Sequence, residues 1–151
     1  MAEFNLNWLK EIGFDTPQPV CSHTLEKVRL AYLTKVYYSM MVTLELCQFV
    51  YGPTWCLYGP KETATMVQVV SWWDVSVAKL MTVGKLRLNL LWTFNAREGL
   101  RRKDDQLPIK FFKPLVGTGP TKGMSVTHEE IEAGLDEYYK LAGFNDDGIP
   151  T

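Results

Sequence analysis

The side chains able to do metal or acid-base chemistry are few in this sequence: Cys21, Cys47, Cys56, His23 and His128. Three cysteines, none at Cys-x-x-Cys spacing, form neither a disulfide framework nor a four-thiolate metal site by themselves, and each reads by default as a buried apolar thiol. The two histidines are far apart in sequence and flank predicted helix starts, so they read as exposed flanking residues rather than as a base or a ligand pair. No Ser/His/Asp set and no His/Cys/carboxylate cluster with metal spacing is present. The segment GTGPTKG at Gly117–Gly123 superficially resembles a phosphate loop, but it neither follows a strand nor opens a helix.

The elements that would position these residues are helical blocks separated by Pro/Gly punctuation. A short block, Phe4 to Ile12, ends at Gly13 and the turn-rich DTPQP at Asp15–Pro19. Thr24 can cap a second block running to about Phe49. It carries one apolar stripe at Leu25, Val28, Tyr32 and Val36 and another at Leu30, Leu33, Tyr37, Met41 and Leu44. A helix apolar on two faces belongs between neighbours. Pro60 suits the first position of a third helix, through Trp72, with Met66, Val67, Val69 and Val70 as its apolar face. From Ser76 the residues Val77, Leu80, Met81, Gly84, Leu88, Leu91 and Trp92 follow helical spacing to about Arg97, and Gly99 supplies the left-handed residue after the C-cap. The charged run Arg97 to Asp105 reads as a solvated, salt-bridged turn. The stretch Arg101 to Gly123 reads as an ordered excursion without helix. Thr127 and Glu130 form a capping box for a last helix with Ile131, Leu135, Tyr138 and Ala142 on one face, ended by Gly143. Five helices and no alternating strand pattern predict an all-α fold, with residues 1–23 as a lead-in and 24–151 as the helical domain.

Composition restricts the partner classes. The 151 residues are 46% hydrophobic and 13% aromatic, enough for one core and too apolar for disorder. With 16 Lys+Arg against 17 Asp+Glu, the overall charge gives no footprint for nucleic acid or an anionic membrane. The N-terminus lacks a basic region followed by an apolar run, and no apolar stretch of about 18 residues occurs, so a cytoplasmic protein is expected.

A family resemblance takes the reading further. The run from Gly84 to Pro108, GKLRLNLLWTFNAREGLRRKDDQLP, resembles the aldehyde ferredoxin oxidoreductase pattern Gly-Glu-Arg-x-x-Asn-x-x-x-x-Phe-Asn-x-Arg-Glu-Gly followed by Arg-x-Asp-Asp-x-Leu-Pro. The tail LDEYYKLAGFNDDGIPT, Leu135 to Thr151, is similar to that family's closing Leu-Asp-x-Tyr-Tyr-x-x-x-Gly-Trp-Asp-x-x-Gly-Ile-Pro-Thr, and Trp73-Asp74 stands where the family has Gly-Trp-Asp. The resemblance implies the C-terminal helical part of a tungsten enzyme that binds a tungsten bis-pterin (tungstopterin) and one 4Fe-4S cluster and passes electrons from aldehydes to ferredoxin. Three cluster cysteines of such enzymes come from an upstream Cys-x-x-Cys-x-x-x-Cys motif that this sequence lacks. The fourth comes from an Asp-x-x-Gly-Leu-Cys segment, matched here by Val42 to Cys47. On that basis Glu45, Leu46 and Cys47 are the candidate cofactor-binding residues and Cys47 the candidate metal ligand; Val42 and Glu45 depart from the pattern's Asp and Gly.

The resemblance further implies that a pterin-binding domain and a last short helix lie outside this sequence, which then reads as an excised domain or a split gene product. It is expected to be free of cofactors and inactive alone, and to need the missing cofactor-binding domain or subunit as partner, with ferredoxin as partner of the complete enzyme. A homo-oligomer through the uncovered face is the other expected association. A helical interaction module that kept the fold and lost the redox role is the alternative.

Overall fold

A computed structural model describes residues 6–16, 18, 19, 21–52 and 57–151. Among them are six α-helices: α1 (Leu6–Glu11), α2 (Leu25–Thr43), α3 (Gln48–Tyr51), α4 (Pro60–Ser71), α5 (Val77–Arg97) and α6 (His128–Ala142). Two short 3-10 turns, Arg102–Asp104 and Ile109–Phe112, punctuate the excursion before α6, and no strand occurs among the described residues. The all-α class expected from the sequence is what the chain adopts. The chain divides into two compact units, one of residues 1–17 and 30–91, the other of 18–29 and 92–151.

In the first unit, Leu9, Ile12 and Phe14 from α1 and its exit meet Tyr37, Met40 and Met41 of α2, Ala64 of α4 and Leu80 of α5 in one cluster. Met40 has no exposed surface. Two glycines set the spacing. A Cβ on Gly84 would overlap the Val36 carbonyl oxygen and lie 3.0 Å from Met40 N, so α5 crosses α2 with backbone against backbone. A Cβ on Gly59 would overlap the Trp8 indole, which holds α1 over the start of α4. That start is capped twice: Glu62 accepts from Gly59 N (3.0 Å), and Glu11 accepts from Lys61 N (3.0 Å). Acidic side chains satisfy the orphan donors of a helix N-terminus and complement its dipole.

The second unit is organised by the charged run. Arg102 bridges Glu132 (2.7 Å) and Asp136 (2.6 Å) of α6, lies 5.3 Å over the Tyr139 ring, and its backbone N–H donates to the Asp147 carbonyl (3.0 Å). Tyr139, 3% exposed, donates its hydroxyl to Asp105. Its phenol is pushed well above the ordinary range, first by burial and then by that carboxylate. Arg101 closes the end of α5 by donating to the Ala96 carbonyl (2.6 Å). The run expected to be a solvated, salt-bridged turn is salt-bridged and mostly exposed, but it is also the hub of this unit, because its partners on α6 are about thirty residues away, beyond any local pattern. The tail Gly143–Thr151 folds back through Asn145, whose side-chain oxygen accepts from Asp147 N and Ile149 N.

α5, α6 and their caps lie where the sequence placed them. Thr127 accepts from Glu130 N (3.1 Å) while Glu130 accepts from Thr127 N (2.8 Å), and Gly99 (φ +95°) and Gly143 (φ +76°) take the left-handed positions. Two expectations are corrected. The second helix stops at Thr43, six residues before Phe49, and α3 is a separate turn. The apolar face of α4 is met only in part: Met66 and Val67 are half-buried, Val67 against the cluster, but Val69 and Val70 are exposed, and the buried residues are Pro60, Thr63 and Ala64.

Candidate cofactor-facing site

The end of α2 shapes the Glu45-Leu46-Cys47 segment. Leu46 N donates to Met41 O (2.9 Å) and Glu45 N to Val42 O (3.2 Å), the paired bonds of a Schellman motif with Glu45 at its left-handed position (φ +56°). The same two bonds close α5 at Gly99 and α6 at Gly143. Glu45 thus takes a backbone conformation that glycine adopts freely and an L side chain adopts at a cost of roughly 1 kcal/mol. Since no glycine stands there, the sequence carries no stop signal, and this is why α2 looked longer than it is.

Leu46 packs half-buried against the cluster around Met41 and anchors the segment. Cys47 follows as the N-cap of α3 and is exposed, with a free thiol that makes no capping hydrogen bond. Its neighbour Phe49 is 68% exposed, and Val42 is also exposed. The default expectation of a buried thiol is wrong for Cys47 and Cys21, both exposed; Cys56, like Trp55, lies outside the described residues. Trp72 and Trp73 are exposed, Trp72 with a left-handed backbone (φ +61°) at the end of α4.

The remaining candidates do not join a site. His23 faces Glu130 at 3.4 Å, and His128 stacks on Phe112 with ring centroids 3.9 Å apart; both are exposed helix-start residues, as the sequence suggested. The Gly117–Gly123 loop is a turn and opens no helix. Among the described residues no three His, Cys, Asp or Glu side chains converge on a metal-sized site. Sequence reasoning did not find the Arg102–Asp105–Tyr139 hub. The matched Asp-Asp-x-Leu-Pro and Tyr-Tyr motifs were the available signal, since they hold Asp105 and Tyr139.

The family model for aldehyde ferredoxin oxidoreductase, domains 2 and 3, matches residues 3–151. The chain belongs to the aldehyde ferredoxin oxidoreductase family. Within that family it is 32% identical over 124 residues to the tungsten-containing aldehyde ferredoxin oxidoreductase of Thermococcus kodakarensis, covering 82% of this chain and 19% of that protein. It is 43% identical over 49 residues to a WOR-like subunit of an aliphatic sulfonate oxidoreductase from Pyrococcus furiosus, covering 32% of this chain and 8% of that one. In structure it is similar to a chain of the BamBC active-site complex of benzoyl coenzyme A reductase bound to 1,5-dienoyl-CoA, with a TM-score of 0.68 and 25% identity over 90% of this chain and 20% of that one. The chain spans about a fifth of the length of the aldehyde ferredoxin oxidoreductases it matches.

Proposed function

We propose that this chain is the C-terminal helical part of a tungstopterin iron-sulfur oxidoreductase that oxidises aldehydes with ferredoxin as electron acceptor, working only when joined to a cofactor-binding domain or subunit in the cytoplasm. In this reading the Glu45-Leu46-Cys47 segment forms the cofactor-binding edge of the chain, with Cys47 as one ligand of the 4Fe-4S cluster and Leu46 holding the segment to the core. The observation that carries it is the exposed thiol of Cys47 on a segment fixed from behind by the Schellman turn and by Leu46. A cluster of this kind is held by about four thiolates, and the described residues gather no group of three His, Cys, Asp or Glu side chains around Cys47. They fit a single-ligand contribution, the others coming from the cofactor-binding part. When bound, the cluster would supply one-electron transfer; this chain's own task is to hold a thiolate at a fixed point.

Co-production with a family cofactor-binding part tests the proposal: a stable complex containing iron and tungsten supports it, and an assembled complex free of both metals counts against it. A second reading, a helical interaction module without redox role, draws support from Val42, an exposed apolar side chain where the family pattern has Asp. It expects association without metal.

A further inference from the structure

The segment 106–127 contains Lys110, Lys113 and Lys122 and no Asp or Glu, whereas 128–151 contains seven acidic residues and one lysine. Charge is thus sharply partitioned within a chain whose net value is -1. No carboxylate among the described residues pairs with these three lysines, although carboxylates do pair with Lys61, Lys79, Arg102 and Lys140. The same segment exposes large apolar side chains: Ile109 is 76% exposed and Val116 98%, with Phe111 and Leu115 also exposed.

The segment is ordered. Leu115 N donates to Met124 O (2.8 Å), Gly123 N to Leu115 O (2.9 Å) and Lys122 N to Gly119 O (3.0 Å), so the turn that carries Lys122 is tied back to Leu115. Val126 N donates to Phe111 O (3.2 Å), and Phe112 is stacked on His128. Pro108, Pro114 and Pro120 restrict the backbone between these ties. Lys110 lies 5.4 Å over the Phe111 ring, which keeps charge next to apolar surface. A rigid knuckle of this kind loses little conformational freedom on binding.

We propose that this knuckle, residues 108–124, is a docking surface for a protein whose contact face carries carboxylates around an apolar centre. Ile109 and Val116 enter that centre, and Lys110, Lys113 and Lys122 meet the rim, where charge complementarity steers encounter and fixes register. An anionic membrane fits less well, since segments that bind one carry about four to eight basic residues. The proposal needs no cofactor and stands apart from the redox reading.

The test uses the whole chain and a labelled synthetic peptide of alternating Glu and Leu, followed by fluorescence anisotropy. Binding should weaken on the order of tenfold or more when Lys110, Lys113 and Lys122 are all changed to Glu, as three exposed charge pairs allow. The equal charge change Lys10→Glu, Lys79→Glu and Lys140→Glu should leave it within about twofold. Affinity should fall with added salt, and Val116→Ser, which leaves charge unchanged, should also weaken it. Absence of binding, equal loss in both triple variants, or lysine-dependent binding to vesicles of phosphatidylcholine and phosphatidylserine in equal parts, with none to the peptide, would each overturn the assignment.

Discussion

Gly84→Ala should destabilise the chain, although alanine is the better helix former by about 1 kcal/mol. The new methyl would overlap the Val36 carbonyl oxygen and stand 3.0 Å from Met40 N and 3.1 Å from Met40 Cβ. Two of these three atoms are backbone and cannot rotate aside, so α5 must move off α2 and loosen the packing of Met40 and Met41, both essentially fully buried. Overpacking of this type costs about 1 to 3 kcal/mol, and the propensity gain offsets only part of it. The expected net loss is up to about 2 kcal/mol, or as much as several degrees of Tm at roughly 2 to 4 °C per kcal/mol for a chain of this size. Gly134→Ala in α6 is the internal control: its Cβ would meet Val28 Cγ2 at 3.6 Å, an ordinary contact, so the same exchange should stabilise by about 0.5 to 1 kcal/mol. Chemical denaturation followed by circular dichroism reads both. If Gly84→Ala raised the midpoint as Gly134→Ala does, the close crossing of α2 and α5 would be refuted.

Other perturbations follow from single contacts. Leu88→Ala should cost on the order of 2 to 5 kcal/mol, since Leu88 is buried on α5; an unchanged midpoint would mean that the helix register is wrong. Glu45→Gly should stabilise by roughly 1 kcal/mol by relieving the left-handed backbone, whereas Glu45→Ala should not, as equilibrium denaturation of the pair would show. Tyr139 is held protonated by burial and Asp105, so its contribution is complete below the unfolded phenol value near about 10 and is lost as pH rises above it. Tyr139→Phe should flatten that alkaline loss in a stability-pH profile while costing about 1 to 3 kcal/mol at neutral pH through the unpaired carboxylate.

What could be read from the sequence were features with local signals. The α6 capping box and the glycines after α5 and α6 act within a few residues, and helical periodicity located the α5 stripe that buries Leu80, Gly84 and Leu88, although Leu91, expected on the same stripe, is exposed. Features whose signal is non-local, or carried by an atypical residue, were missed. The end of α2 rests on Glu45 in a glycine-like conformation. The burial of Thr63 and Ala64 rather than Val69 and Val70 depends on where α1 crosses α4, and Arg102 finds its partners only once α6 is formed. Residue types alone pointed to a buried Cys47; only the family pattern gave a reason for its thiol to face outward.

The role of Cys47 is read most directly from the iron content and low-temperature EPR signal of this chain assembled with a family cofactor-binding part, compared for Cys47→Ser and Cys21→Ser. Both thiols are exposed, so general reactivity does not distinguish them. Cys21→Ser should keep the reduced cluster signal, and Cys47→Ser should lose or alter it while the complex still assembles. An unchanged cluster signal in the Cys47→Ser complex would contradict the ligand role of Cys47.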